Sequence, residues 1–215
     1  LRVAVADSVD RFAAGDAAAG LHGATRLGGN SLSDLLVFGK RAGEYAATFA
    51  QENKATIIVD EKEIAGFTKK ALEAFDSNAG ENPFQLQYDL QEMMQDLAGI
   101  VRTEAELLTA MESLKVLRRR YGNIKVTRNR EYNTGWHTAL DLENLLTVSE
   151  AITRSAIERK ESRGAHFRED FPHKDEKEGR YNLIINKGAD GSMQVRRQAL
   201  PEIRGDLRQI IEEMK

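Results

Sequence analysis

The residues best suited to chemistry lie in one stretch, Leu21 to Gly43, which reads LHGATRLGGNSLSDLLVFGKRAG. Arg26 stands just ahead of the Gly28-Gly29 pair, and Asn30-Ser31, both favoured at helix N-caps, lead into an apolar helix. A glycine turn that runs into a helix gathers free backbone N–H groups at the positive end of the helix dipole. With the guanidinium, these groups predict a site for an anionic or electron-rich ligand, although the same turn would also serve a purely structural role.

The other residues of chemical interest do not form such a group. The four histidines lack the two-His helix spacing of a metal site, so no metal site is predicted, and we expect His22 to be structural. Basic residues cluster between Arg118 and Arg130 with few aromatic neighbours, and this composition favours a solvated face over nucleic-acid binding.

The composition excludes several classes of function. The chain has 215 residues, of which 41% are hydrophobic, a share typical of a water-soluble domain. Its formal net charge of −3 implies no strong attraction to polyanions. It contains no cysteine, which excludes disulfides, thiolate nucleophiles and cysteine-ligated iron–sulfur clusters within this chain. No apolar run approaches the ~20 residues of a transmembrane helix.

The first part of the chain predicts mixed secondary structure. Residues 1 to 16 suggest one or two strands that lead to a turn at Gly15. Apolar periodicity predicts a helix from Ser31 to about Gln51, with Gly39 and Gly43 leaving a smooth side for a strand or a cofactor. A short strand is expected at Ala55–Val59, and a helix from Glu61 to about Phe75.

From Pro83 onward the pattern is helical. Pro83 suits the first position of a helix, and Thr103 to Glu106 form a capping box before a second one. Residues 122–137 are predicted as a loop, and Leu142 to Ala156 mark a third helix, so a bundle is expected. The remainder predicts a hairpin of two strands and a short closing helix, at Tyr181–Ile185, Met193–Arg197 and Leu207–Met214.

Two long motifs resemble the succinate dehydrogenase / fumarate reductase flavoprotein subunit. The first is HGATRLGGNSL, at positions 22 to 32, and the second is RKESRGAHFREDFP, from Arg159 to Pro172. The resemblance covers nearly the whole chain but only about the last third of the family's usual length, so we interpret the chain as a C-terminal portion of such a flavoprotein. It implies an α+β fold, in which a remnant of an FAD-binding α/β domain is followed by a three-helix bundle-like C-terminal domain with a terminal β-hairpin. The segments expected are 1–80, 81–175 and 176–215.

The resemblance also implies roles for particular residues. Arg26 matches the family's ligand for a substrate carboxylate, and Ser31 and Leu32 match its flavin contacts at a helix start. Asp16 matches an acid that accepts a hydrogen bond from a hydroxyl of the flavin dinucleotide, although the family usually has Glu there. Thr25 replaces the usual Asn, so the support of Arg26 differs from that of the family.

The second motif implies a structural role in the helical region. We expect Arg163 and Arg168 to bond carbonyls or acids, and Gly164 to cap the C-terminus of a charged helix. His166 belongs to the same motif and shares its expected structural role.

The function implied is the interconversion of succinate and fumarate by hydride transfer with FAD, followed by electron transfer to an iron–sulfur subunit. Membrane-anchor subunits would hold the protein peripherally, on the cytoplasmic side or on the mitochondrial matrix side. Two alternatives stay open. One is an L-aspartate oxidase-like flavoprotein, which shares the second motif, and the other is a non-catalytic helical fragment that docks a partner protein. The isolated piece is expected to be inactive.

Overall fold

The computed structural model describes residues 12–18, 20–54, 59–76, 79–127 and 129–213. The α-helices of these residues are α1 Asn30–Glu52, α2 Glu61–Asp76, α3 Pro83–Leu97, α4 Glu104–Tyr121, α5 Thr134–Glu158 and α6 Gly205–Glu213. The strands are β1 Val101–Arg102, β2 Phe167–Arg168, β3 Tyr181–Lys187 and β4 Met193–Ala199. Short 3-10 turns occupy Gly15–Ala17 and Glu178–Arg180. Of the strands expected in residues 1–16 and at 55–59, residues 1–11 and 55–58 lie outside the described residues, and residues 12–16 and 59 are not strand.

Helix starts follow local side-chain chemistry, as the sequence predicts. Pro83 is the first residue of α3, and the Asn82 side chain accepts a hydrogen bond from the Phe84 N–H at 3.0 Å. At α4, Glu106 accepts from the Thr103 N–H at 3.1 Å and Thr103 Oγ1 accepts from the Glu106 N–H at 3.3 Å. The predicted capping box is therefore confirmed.

The third long helix starts earlier than the apolar periodicity indicates. Residues 122–137 were expected to be a loop, but α5 begins at Thr134 and includes Gly135. The reason is a cap, since Asn133 Oδ1 accepts a hydrogen bond from the Trp136 N–H at 3.1 Å and satisfies one of the first helical donors. The end of the predicted loop is wrong for this reason.

Contacts divide the chain into two compact units whose segments alternate along the sequence. One unit comprises the chain up to Leu86, Arg120–Asp141 and Arg163–Ala165. The other comprises Gln87–Arg119, Leu142–Ser162 and the chain from His166 onward. The three consecutive segments expected from the sequence stay a prediction, because contact grouping alone does not define a domain.

The second unit holds most of the buried apolar residues. Leu107, Leu142 and Leu146 are fully buried, and each contributes about 1.5–3 kcal/mol relative to an exposed side chain. Ala98 and Ala156 pack with Leu107 in one cluster. These residues come from α4, from α5 and from the turn after α3, as expected for a helical bundle.

Two small sheets complete the α+β fold. β1 and β2 pair in parallel, with Val101 opposite Phe167. β3 and β4 form an antiparallel hairpin in which Tyr181 pairs with Ala199 and Lys187 with Met193. The predicted hairpin is confirmed, and each strand is two residues longer than the sequence pattern indicates.

Candidate functional site

A glycine-rich loop precedes α1 and carries Arg26. Gly20 and Gly23 have φ of 93° and 61°, a region that other residues rarely adopt. The Asn30 N–H donates to the Leu27 carbonyl at 3.3 Å, which closes the turn directly before the helix. Arg26 therefore lies in a glycine-rich turn, four residues before the start of α1.

The start of α1 leaves its first backbone donors available. Asn30 and Ser31 were expected at the N-cap, but Gly29 occupies that position and no side chain caps the helix. Asn30 and Ser31 are instead the first two helical residues, so the predicted side-chain cap is wrong. The amides of Ser31 and Leu32 lie in the first turn, where a helix has no intrahelical partner for its N–H groups. The first turn also contains no acidic residue to offset the helix dipole.

Arg26 is exposed and uncompensated. Its side chain forms no hydrogen bond or ion pair with any residue that the structure describes. A guanidinium of this kind is suited to a bidentate carboxylate ligand, because its planar donors match the two oxygens.

Two contacts hold the preceding chain against α1. His22 Nε2 lies 3.3 Å from Asp34 Oδ2, and a Cβ built on Gly15 would lie 2.6 Å from Leu35 Cδ2. Gly15 has φ of 66°, a conformation that favours glycine, whereas the flexible end of the Leu35 side chain could shift to make room for a Cβ. Asp16 lies in the same 3-10 turn, and its role toward FAD stays a prediction.

The surface of α1 next to this loop fits a large planar, partly apolar group. Leu32 and Leu36 are 69% and 75% exposed, although both are apolar. A Cβ on Gly28, Gly29, Gly39 or Gly43 would have nothing within 4 Å among the described residues. A flavin ring could pack against the exposed leucine side chains and the open glycine backbone, and it could accept hydrogen bonds from the free amides. These residues therefore fit FAD.

Part of the second motif reaches the Arg26 loop. Gly164 was expected to cap a helix, but α5 ends at Glu158, so this prediction is wrong. Gly164 instead has φ of 61° and lies against the backbone of Ala24. A Cβ on Gly164 would collide with the Ala24 carbonyl oxygen and lie 2.7 Å from the carbonyl carbon. The two motifs therefore meet in one unit, through residues 163–165.

The remainder of the second motif belongs to the other unit. His166 Nδ1 lies 2.9 Å from Arg102 Nη1, and His166 Nε2 lies 3.2 Å from the Arg159 carbonyl oxygen. Arg102 can only donate, so Nδ1 accepts and the Nε2–H donates, which defines a neutral imidazole. Burial lowers the pKa of His166, and the nearby charges of Arg102, Arg168 and Arg159 lower it further against the opposing backbone hydrogen bond.

Arg168 is fully buried and bound on several sides. Its Nε and Nη2 donate to the two Asp170 oxygens at 2.7 Å each, and Nη1 donates to the Ala156 carbonyl at 2.8 Å. Glu104 lies 3.4 Å from Nη2, and the guanidinium stacks 5.0 Å from the Phe171 ring centroid. The hydrogen bonds from Arg168 lower the pKa of Asp170 to about 2.

Several residues that support the site have no local sequence signal. Asp34 contacts His22 across twelve residues, and no short-range spacing predicts this contact. In the other unit, the contact of Arg102 with His166 likewise has no local signal. In the described part of the chain, no three His, Asp or Glu side chains are placed to hold a metal ion. Among the described residues, no helix is both long enough and apolar enough to cross a bilayer.

Comparison with known proteins identifies the family to which this fold belongs. The family model described as "Fumarate reductase flavoprotein C-term" matches residues 87–204. The Sdh1 structure of Mycobacterium smegmatis in complex with UQ1 is 41% identical, with a TM-score of 0.87, covering 94% of this chain and 34% of that one. An uncharacterized FAD-dependent oxidoreductase of Methanocaldococcus jannaschii is 40% identical over 175 residues, 81% of this chain and 31% of its own length.

A fumarate reductase flavoprotein subunit from Haemophilus influenzae is 38% identical over 172 residues, 77% of this chain and 28% of its own length. The chain belongs to the succinate dehydrogenase / fumarate reductase flavoprotein family. It spans about a third of the length of the curated relatives that it matches.

Proposed function

We propose that this chain is part of a flavoprotein subunit that interconverts succinate and fumarate, with Arg26 as the ligand of one substrate carboxylate. The observation that carries the proposal is the pairing of an exposed, uncompensated guanidinium with the open start of a 23-residue helix. A cationic side chain four residues ahead of a helix start is suited to a dianionic substrate next to a redox cofactor.

FAD, when bound, would accept or donate the hydride. The residues of this chain would hold it, with Asp16 accepting from a hydroxyl of the dinucleotide and the amides of Ser31 and Leu32 facing its ring system. A helix start stabilises negative charge, and reduced flavin carries negative charge near N1. The first unit would then correspond to the end of an FAD-binding α/β domain.

The partners proposed are an iron–sulfur subunit and membrane-anchor subunits, with the flavoprotein peripheral on the cytoplasmic or matrix side. The absence of cysteine from the 215 residues supports the first, since clusters ligated by cysteine need another chain or another segment. The names of the relatives support the assignment to fumarate or succinate chemistry.

The test is Arg26→Ala and Arg26→Lys in the complete flavoprotein subunit. We expect Arg26→Ala to lower kcat/KM for fumarate and succinate by about 10³-fold, because a charge-assisted bidentate contact is lost. Arg26→Lys should recover only part of the loss, since an ammonium cannot reproduce the planar fork. The bound flavin, read from its absorbance, should stay unchanged in both variants.

Arg41→Ala is the matched control, because Arg41 lies on α1 and, among the described residues, stacks only on Phe38. It should leave both activities within about twofold of the wild type, as expected for an exposed side chain. Wild-type activity in Arg26→Ala would contradict the proposal. Turnover of aspartate in place of succinate would favour the L-aspartate oxidase alternative, and a complete subunit without flavin would favour the docking module.

A further inference from the structure

Gly164 is the closest point at which the second motif meets the loop that carries Arg26. The collision that a Cβ would cause there is with backbone, namely the carbonyl oxygen and carbon of Ala24. The Cβ of Ala24 would also lie only 2.9 Å from it. A flexible side chain could swing aside, but a carbonyl group cannot move without moving the loop.

The loop around Arg26 needs external support to hold one conformation. Gly20, Gly23, Gly28 and Gly29 all lie within ten residues of the sequence, and glycine loses more conformational freedom on folding than any other residue. Arg26 itself has no partner among the described residues that would fix its position. The His22–Asp34 contact supports the loop at its base, and the close approach of Gly164 to Ala24 supports the backbone nearer to Arg26.

We propose that Gly164 is a positioning residue for Arg26, an inference that rests on the proposed function. Ala24 is two residues before Arg26, so a shift of its carbonyl is passed directly to the backbone from which the guanidinium extends. By permitting the close approach, Gly164 fixes the position of the loop backbone and thus the position at which Arg26 can bind a carboxylate. A misplacement of about 1 Å in such a contact can cost on the order of 10²-fold in rate.

The test is Gly164→Ala in the complete subunit, alone and combined with Arg26→Ala. We expect Gly164→Ala to raise KM for the dicarboxylate about 10- to 100-fold with a smaller change in kcat, because binding geometry is disturbed. In the Arg26→Ala background, the same change should alter kcat/KM by less than about threefold, since residues that act through one contact are not additive.

Two further variants separate collision from backbone strain. Gly164→Asn keeps a residue type that tolerates the left-handed conformation but still carries a Cβ, so it should raise KM as Gly164→Ala does. Gly191→Ala imposes the same kind of strain, at φ of 80°, with nothing nearer than 4.0 Å to the added Cβ. It should leave KM for the dicarboxylate unchanged.

The outcomes distinguish this inference from the function on which it rests. A silent Arg26→Ala removes the proposed function and this inference with it. If Arg26→Ala lowers kcat/KM as expected, but Gly164→Ala lowers kcat/KM equally with and without Arg26, the inference is overturned and the proposed function stands. Failure of both Gly164 variants to fold or to retain flavin, while Arg26→Ala retains it, assigns Gly164 to stability and also overturns the inference.

Discussion

His22 Nε2 lies 3.3 Å from Asp34 Oδ2, and this contact ties the glycine-rich loop to the second turn of the helix that follows it. The two side chains are only 27% and 11% exposed, so water competes weakly for the contact. Since Arg26 lies between the two residues in sequence, the contact closes the loop at its base.

We expect Asp34→Ala to lower the free energy of unfolding by about 1 kcal/mol, the usual net contribution of a partly buried hydrogen bond. Urea denaturation measures this value. Glu44→Ala is the control, because the Glu44 pair with Lys40 is largely exposed and should contribute only about 0.3 kcal/mol. Equal losses for the two variants would show that the contact to His22 has no special weight.

The Arg168–Asp170 pair predicts a larger effect. Asp170→Asn should destabilise the protein by about 3 kcal/mol at neutral pH, because it leaves a buried guanidinium short of its main acceptor. Glu169→Gln, an exposed neighbour, should change the free energy of unfolding by less than about 0.5 kcal/mol.

The difference between wild type and Asp170→Asn should also depend on pH. The folded-state pKa of Asp170 is about 2, below the ordinary value of 3.8, so the carboxylate contributes stability above pH 3.8. That contribution is lost as the pH falls toward 2. A gap between the two proteins that stays constant across this range would contradict the assigned pairing.

His166 predicts acid sensitivity at a higher pH. Its folded-state pKa is lowered from 6.5, so below that pH the unfolded chain binds the proton more readily and the folded state loses stability. His166→Gln should therefore flatten the fall in the free energy of unfolding below about pH 6.5. His173→Gln, at an exposed position, is the matched control and should change the free energy of unfolding at neutral pH by less than about 0.5 kcal/mol.

The open glycines of α1 predict an effect on cofactor content. Gly39→Ala should lower the flavin bound per complete subunit at least about twofold if the cofactor lies against this side, because only glycine lets it approach so closely. Gly66→Ala, at an equally open position on α2, should leave flavin content unchanged. Unchanged flavin in Gly39→Ala would indicate that this side of α1 does not contact the cofactor.

Local signals predict much of this fold. Pro83 and the Thr103–Glu106 box mark helix starts that depend only on neighbours within four residues, and both are confirmed. The hairpin follows in the same way from two β-rich runs around a short polar turn. Each of these features is decided by contacts that are close in sequence.

The errors arise where distant residues or unrecognised caps decide. Asn133 caps α5 and so moves the start of the helix to Thr134. Because Asn133 is polar and lies outside the apolar periodicity, that periodicity does not predict the earlier start. The sequence around Gly164 predicts a helix cap. In the structure, glycine is needed there because the backbone of Ala24, which is 140 residues earlier, lies against it. The roles of Arg26, Asp16, Ser31 and Leu32 stay predictions, because they concern a ligand.

The parallel pairing of β1 with β2 has a consequence for the order of folding. Val101 and Phe167 are joined across a connection that contains α4 and α5, and the Glu169 N–H then bonds the Arg102 carbonyl at 2.9 Å. Closing so long a connection is slow compared with helix formation, which takes about a microsecond. In a refolding experiment with pulsed hydrogen exchange, we expect the Glu169 amide to become protected after the amides of α4 and α5.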